Sequence, residues 1–172
     1  MGADYTAAVD APEATTVPVV ARELMDVSVR EALAPIIPEL IAKLNCQTIT
    51  TQCFGRGGDI KIFAQYRDIL TEDEERIEVA CFRLQPMPGC SAIMVSSHER
   101  VSIPQRGKGI GRLLQKLRCD ISKRQGCQVI QCTTIEANTR QNKLLLQIGW
   151  TSVQSFDNPA TGNKVVVWLK TL

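Results

Sequence analysis

The chain has 172 residues, of which 44% are hydrophobic and 22% charged, so it can bury one core without disulfides or a structural metal. The 20 basic and 18 acidic residues leave a net charge of +2, which excludes a large, uniformly positive surface that binds a polyanion. Aromatic residues make up only 5%, which argues against stacking platforms for single-stranded nucleic acid, and no apolar run reaches the roughly 18 residues that span a bilayer.

The first half of the chain predicts an N-terminal arm, a broken helix and four strands. Residues 1–20 lack a clear period, so we expect a flexible or docking arm, with 17–20 as a candidate sheet edge, before one domain over residues 21–172. Apolar residues recur at helical spacing over 27–45, but Pro35 and Pro38 interrupt them and predict two short helices or one kinked helix. Strands are expected at 47–54, 59–66, 76–84 and 91–101, with an acidic loop at 68–75.

The second half changes to alternating helices and strands. A helix is predicted from Ile110 to near Gly126, and a shorter one over 139–148, with Asn138 or Thr139 capping its start and Gly149 ending it. Strands are expected at 127–135, 151–156 and 164–169, the last two forming a hairpin. The strand–helix–strand unit from 91 to 135 predicts a parallel crossover, so the fold class is mixed α/β.

The cysteines and the single histidine limit the chemistry that is open to this chain. The seven cysteines are odd in number and include no C-x-x-C pair, so we expect free thiols in a reducing, cytoplasmic compartment. Residues 1–21 contain no Lys or Arg, and we therefore expect no secretory signal and no membrane association. His98 is the only histidine, which excludes a His-rich site, and we expect no metal.

A glycine-rich basic segment follows the strand predicted at 91–101. Residues 106–111 read Arg-Gly-Lys-Gly-Ile-Gly and precede a helix, so main-chain N–H groups without partners would lie at the positive end of a helix dipole, where phosphate binds. Residues 100–126 contain eight basic residues and one acidic residue, which concentrates positive charge beside this segment. The segment fits neither the G-x-x-x-x-G-K-[ST] loop nor the G-x-G-x-x-G fingerprint of dinucleotide-binding folds.

The segment does resemble a third phosphate-binding signature. Arg106-Gly107-Lys108-Gly109-Ile110-Gly111 is similar to the [R/Q]-x-x-G-x-[G/A] signature of the GNAT N-acetyltransferase superfamily. The likeness extends to Asn138 and, eleven residues later, to Gly149-Trp150 before a terminal hairpin. It implies a mixed, mostly antiparallel sheet with a central pair of parallel strands that splay apart, flanked by helices. It also implies that acetyl-coenzyme A is the cofactor and that an acetyl group moves to a primary amine.

The resemblance assigns roles to residues of this chain. The amides of 106–111 would hold the pyrophosphate, main chain around Val101 and Ile103 would pair with the pantetheine arm, and Asn138 would hydrogen-bond that arm. The resulting set of cofactor-binding residues is Val101, Ile103, Arg106, Gly107, Lys108, Gly109, Ile110, Gly111, Arg112 and Asn138.

The catalytic residues implied by the resemblance are incomplete. Where many members have a Tyr as general acid, this chain has Leu145, and the small residue usually found three after the Asn is Gln141. For the base, His98 and Glu99 lie on the strand that leads into the glycine segment, where members often place a carboxylate. Edge-strand polar residues that face water are the alternative interpretation of both.

These departures keep a second class of function open. The alternative to an N-acetyltransferase is a catalytically silent scaffold or assembly subunit of the same fold, which binds a protein partner or a second copy of the chain. Nucleic-acid binding by the basic helix face is the weakest interpretation, because such a face is usually solvated. The acceptor is not readable from the sequence; a small amine, an antibiotic, a peptide N-terminus, a lysine or a modified nucleobase all remain open.

Overall fold

The structure is a computed structural model, and it describes residues 19–54, 58–67 and 74–172. Its helices are α1 (Val19–Leu33), α2 (Ile37–Leu44), α3 (Ile110–Arg124) and α4 (Thr139–Gln147), and its strands are β1 (Thr48–Phe54), β2 (Asp59–Arg67), β3 (Glu74–Met87), β4 (Cys90–Val101), β5 (Val129–Ile135), β6 (Thr151–Asp157) and β7 (Lys164–Thr171). No helix in these ranges is long and apolar enough to cross a membrane.

The strands form one seven-stranded sheet in the order β1-β2-β3-β4-β5-β7-β6. All neighbours are antiparallel except β4 and β5, which are parallel and joined through α3. The mixed, mostly antiparallel sheet with a central parallel pair is therefore confirmed. The crossover through α3 also confirms the predicted strand–helix–strand unit, because only a long connection can join neighbouring parallel strands.

The core lies between one face of the sheet and the helices that pack on it. Paired side chains of neighbouring strands, such as Ile60 with Phe82 and Met94 with Ile130, are at most 1% exposed. From α3, Leu114, Leu117 and Ile121 pack on this face and are fully buried. The spacing of three and four between these leucines and isoleucines is the apolar stripe that the sequence predicted.

The N-terminal helices differ from the prediction in where they begin. A 3-10 turn at Ala34–Ile36 separates α1 from α2, as the prolines predicted, because Pro35 and Pro38 lack the N–H that a continuous helix needs. However, α1 begins at Val19, so the last two residues of the expected arm are helical and do not join a sheet edge. Residues 1–18, the turn at 55–57 and most of the acidic loop (68–73) lie outside the described residues.

Candidate functional site

The site forms where the two parallel strands separate. β4 and β5 pair only from Ile93–Val129 to Ser96–Cys132. Beyond that point β4 continues beside β3 and β5 beside β7, so the main-chain groups of β4 that face β5 have no partner strand in the described chain. This separation opens a cleft between the last third of β4 and the first turns of α3 and α4.

The cleft has a volume of about 610 Å³ and is rich in cations. Its walls are Glu99, Arg100, Val101, Gln105, Arg106, Gly107, Gly109, Ile110, Gly111, Arg112, Asn138, Arg140, Gln141, Lys143, Leu144 and Gln147. Five of these residues are basic and one, Glu99, is acidic. Of the ten residues that the resemblance assigned to the cofactor, eight line the cleft.

The two exceptions lie beside the cleft. β4 ends at Val101, as the sequence predicted, and Ile103 begins the 3-10 turn that follows (Ile103–Gln105). Its side chain is 75% exposed. Lys108 does not line the cleft, and its Nζ donates a hydrogen bond at 2.7 Å to Oε1 of Gln105, which does. The role of either residue in binding stays a prediction.

The glycine segment presents main-chain N–H groups to the cleft. Gly107 and Gly109 have φ values of +87° and +81°, which L-residues rarely adopt, and Gly109 is the N-cap residue of α3. Among the described residues, no acceptor pairs with the N–H groups of Gly109, Ile110 and Gly111. These groups lie at the positive end of α3, where the helix dipole favours an anion, and anion binding there stays a prediction.

A β-bulge turns Glu99 into the cleft. Cys81 pairs with Arg100 and Arg83 pairs with Ser97, so the single residue Phe82 faces both His98 and Glu99. His98 takes a left-handed conformation (φ +55°) at this bulge, and its exposed ring contacts Ser97 Oγ at 3.0 Å. The extra residue places Glu99 in the cleft wall while His98 does not line the cleft.

One carboxylate oxygen of Glu99, Oε2, lies within hydrogen-bond or ion-pair distance of three donor side chains. Gln115 Nε2 donates to Oε2 at 2.6 Å, Gln141 Nε2 donates to it at 3.3 Å, and the Arg118 guanidinium lies 2.8 Å away. The other oxygen has no partner among the described residues. Burial raises the pKa of Glu99, and the charge of Arg118 and the Gln141 hydrogen bond offset part of this rise.

Arg118 is a buried cation below the cleft, and sequence reasoning missed it. Its side chain is 2% exposed, donates to Ser96 Oγ at 2.6 Å and lies 5.9 Å from the ring of Trp150. The sequence suggested a solvated basic face on α3, which Lys116 and Lys123 do form. Arg118 lies on the buried side of α3, four residues after Leu114 and three before Ile121. This helical spacing from two apolar residues could have predicted that Arg118 is buried.

The start of α4 is held by two asparagines. Asn138 caps the helix by accepting a hydrogen bond from the Gln141 N–H at 3.3 Å, which confirms it as the helix start. Asn142 Oδ1 accepts from the Thr134 hydroxyl at 2.5 Å, and the Thr134 oxygen in turn accepts from Trp168 Nε1 at 2.8 Å. These bonds tie α4 to β5 and β7, and so fix one wall of the cleft.

Solved acetyltransferase structures share this architecture, although neither a family model nor a curated protein sequence matches the chain. An IAA acetyltransferase from Bacillus cereus ATCC 14579 superposes with a TM-score of 0.56 at 15% identity, over 68% of this chain and 79% of the other. A GNAT family acetyltransferase from Elizabethkingia anophelis, solved with acetyl-CoA bound, gives 0.56 at 14% identity, over 72% and 98%. The chain has the GNAT fold.

A third structure with this fold is a multi-chain assembly. The NatC complex bound to Gag peptide and CoA superposes with a TM-score of 0.53 at 18% identity, over 65% of this chain and 70% of the other. At these identities the GNAT fold is shared while most side chains differ. The chemistry must therefore be argued from the cleft of this chain itself.

Proposed function

We propose that this protein is an acetyl-CoA-dependent N-acetyltransferase whose acceptor is a primary amine. The observation that carries the proposal is the set of unpartnered N–H groups at Gly109, Ile110 and Gly111, which open into the same cleft as the unpaired edge of β4. A diphosphate needs several donors at one point, and an amide-containing arm needs a free strand edge beside it. Both requirements are met along one continuous cleft.

The residues present fit coenzyme A. The glycine segment and Arg112 would hold the diphosphate, and the β5-facing edge of β4 up to Val101 would pair with the amides of the pantetheine arm. A Cβ at Gly107 would meet no atom within 4 Å, so the space beside the segment is open to a ligand. When bound, acetyl-CoA supplies a thioester carbonyl that an amine attacks and a thiolate leaving group.

Glu99 is the residue of this chain best suited to receive the proton of the acceptor amine. It lines the cleft, one of its oxygens has no partner among the described residues, and burial raises its pKa toward the range in which a general base works. His98, the other candidate, is exposed outside the cleft wall. We therefore assign proton transfer to Glu99 and no catalytic role to His98.

No side chain in the described part of the cleft replaces the missing acid. Leu145, at the position where many members of the family have a Tyr, is fully buried. The Cys132 thiol has a pKa raised to about 12 by burial, and it does not line the cleft. We propose that protonation of the leaving thiolate depends on solvent or on the acceptor itself, because no positioned donor is available.

Calorimetric titration with CoA and acetyl-CoA tests the proposal, with Gly111→Asp and Gly111→Asn as a matched pair. Gly111 has room for a side chain, since a Cβ there would lie 3.7 Å from Leu144 Cδ2. An Asp in the first turn of a helix favours folding, whereas its charge repels a diphosphate. We expect wild type to bind both ligands, Gly111→Asp to lose at least a hundredfold in affinity, and Gly111→Asn to lose much less.

Thermal unfolding and mass spectrometry complete the test. A bound ligand at 100 times its dissociation constant adds about 2.7 kcal/mol to the free energy of unfolding, so wild type melts at a higher temperature with CoA. Incubation with acetyl-CoA and candidate amines, including peptides with free N-termini, should yield an acetylated product. A protein that binds no acyl-CoA, yet purifies with a protein partner, would be the silent scaffold.

A further inference from the structure

The carboxylate of Glu99 is held on one oxygen by side chains from two helices. Gln115 and Arg118 reach Oε2 from α3, at 2.6 and 2.8 Å, and Gln141 reaches the same oxygen from α4, at 3.3 Å. Glu99 itself belongs to β4, so a single oxygen connects three elements of the fold. A carboxylate that is bonded on one oxygen alone has a defined orientation, in which the second oxygen keeps its acceptor capacity for another partner.

Gln141 differs from the other two donors in where its side chain lies. Gln115 and Arg118 are 1% and 2% exposed, and neither of them lines the cleft. Gln141 is partly buried and does line the cleft, as Glu99 does. Of the three donors, Gln141 is therefore the one that borders the same space as the carboxylate, and its amide can be changed without opening the core.

The main chain at Gln141 is fixed by the contacts of α4. Its N–H donates to Asn138 Oδ1 at 3.3 Å, which caps the helix. The next residue, Asn142, accepts from the Thr134 hydroxyl at 2.5 Å and donates to the Glu136 carbonyl oxygen at 2.9 Å. These bonds tie the first turn of α4 to the end of β5, so the Gln141 side chain reaches the carboxylate from a fixed point.

The charge next to Glu99 comes from α3, whereas α4 contributes a neutral donor. In the described chain, Arg118 is the only cation that forms an ion pair with Glu99. The Cys132 thiol of β5 also interacts with Glu99, and because burial raises its pKa to about 12 it is neutral at physiological pH. The other titratable groups beside Glu99 lie on its own strand and on α4, and they are His98, Arg100, Arg140 and Lys143.

A primary amide suits the position that faces Glu99 from α4. A second cation there would lower the pKa of Glu99 and weaken it as a base, because an opposite charge favours the carboxylate. An amide N–H donates a hydrogen bond without net charge, so Gln141 orients the carboxylate at a smaller cost in basicity.

We propose that Gln141 is a positioning residue for acetyl transfer, whose amide holds Oε2 of Glu99 so that Oε1 stays available to the acceptor amine in the cleft. This inference rests on the proposed function, because the orientation of Glu99 affects the rate only if Glu99 receives the proton. Gln141 itself gains or loses no proton and forms no covalent bond. A displacement of a reacting group by about 1 Å can cost about 10²-fold in rate, so a bond that fixes the base should act on kcat.

The variant Gln141→Met tests this role, because it keeps the length of the side chain and removes the donor. Carbon-13 NMR titration of protein labelled at the Glu carboxyl carbons measures the pKa of Glu99, with Glu99→Gln to assign the signal. This pKa should rise in Gln141→Met, since a hydrogen bond to the charged form is lost. The acid limb of kcat/KM should move up with it, and kcat on the high-pH plateau should fall about tenfold, with KM for acetyl-CoA within about twofold of wild type.

The matched control is Gln147→Met, which removes the same amide from the same helix and the same cleft, where Gln147 contacts Arg112 and not Glu99. It should leave the pKa of Glu99 and the acid limb at their wild-type values, and an equal rise there would overturn the role of Gln141. An unchanged Glu99 pKa in Gln141→Met, or a raised pKa with wild-type kcat on the plateau, would also overturn it. Acetyl transfer by wild type would in those cases leave the proposed function intact. If wild type acetylates no amine, both proposals fail.

Discussion

The two ends of the β4–β5 pair differ in packing: one is buried in the core, and the other borders the cleft. At the paired end, Met94 and Ile130 face each other across the ladder and are fully buried. At the separated end, beyond Ser96 and Cys132, the same strands have different neighbours, and polar or exposed side chains line the gap. A single pair of strands thus provides core at one end and one wall of an open cleft at the other.

This difference shows how a small domain builds a cleft without giving up its core. Strand separation would normally leave main-chain groups without partners, and each buried one would destabilise the fold. Here the edge of β4 faces a cleft that is open to solvent, and the bulge at His98 turns one carboxyl group into it. The buried ion pair of Glu99 with Arg118 lies at the boundary between the two ends.

The largest effect is expected from changing the chemistry of the separated end. Glu99→Gln should lower kcat/KM for acetyl transfer by about 10²–10⁴-fold, the usual contribution of a general base, while CoA affinity stays the same. The matched control is His98→Gln, its neighbour in the bulge, which should keep wild-type kcat/KM. Steady-state kinetics with the acceptor found by mass spectrometry measures both, and circular dichroism confirms folding.

Equal losses in the two variants would contradict this assignment, because only one of the two side chains lines the cleft. A wild-type rate for Glu99→Gln would remove the general base altogether. The chemistry would then depend on main-chain groups and on an acceptor that arrives deprotonated.

The second-largest effect is expected from Arg118, at the boundary between the paired and the separated end of β4 and β5. Arg118→Gln leaves Glu99 without its cation and should lower the free energy of unfolding by about 3 kcal/mol or more near pH 8. It should also raise the pKa of Glu99 further, because the nearest positive charge is gone. The acid limb of the kcat/KM profile should therefore move to higher pH, whereas Arg118→Lys should move it back toward wild type.

The raised pKa of Glu99 should also make the free energy of unfolding depend on pH. A carboxyl group whose pKa is higher in the folded state than its unfolded value of about 4.3 holds its proton more tightly when folded, so its contribution to stability falls as pH rises. The deficit of Arg118→Gln relative to wild type should accordingly be small near pH 4 and grow as pH rises through the pKa of Glu99. If the acid limb of the kcat/KM profile stays at its wild-type pH in Arg118→Gln, Arg118 supports packing and does not set the pKa of Glu99.

The features that the sequence predicted correctly are local ones. The glycine segment, the Asn138 cap and the broken N-terminal helix each follow from residues within one or two turns, because glycine, asparagine and proline act on their own main chain. The parallel crossover followed from the order of elements and the handedness of connections. These features position the glycine segment and the walls of the cleft.

The features that the sequence did not predict depend on contacts between distant residues. The bulge at His98 exists because Phe82 of β3 faces two residues, a register that no pattern within β4 indicates. The pairing of Glu99 with Arg118 joins residues that are nineteen apart in sequence, and Trp150 of a third segment lies 5.9 Å from Arg118. That Arg140 and Lys143 line the same cleft as the glycine segment depends on where α4 lies, which the sequence does not indicate.

The last prediction tests the comparison between the two ends directly, with one substitution at each end of β5. Ile130 is fully buried at the paired end, whereas Ile135 is 44% exposed at the separated end. Ile130→Ala should lower the free energy of unfolding by about 2–5 kcal/mol, through lost apolar burial and the cavity left behind. Ile135→Ala should change it by less than about 0.5 kcal/mol, since water already reaches the side chain. Urea unfolding of both variants measures this difference, and similar losses would show that the separated end of β5 is packed in solution.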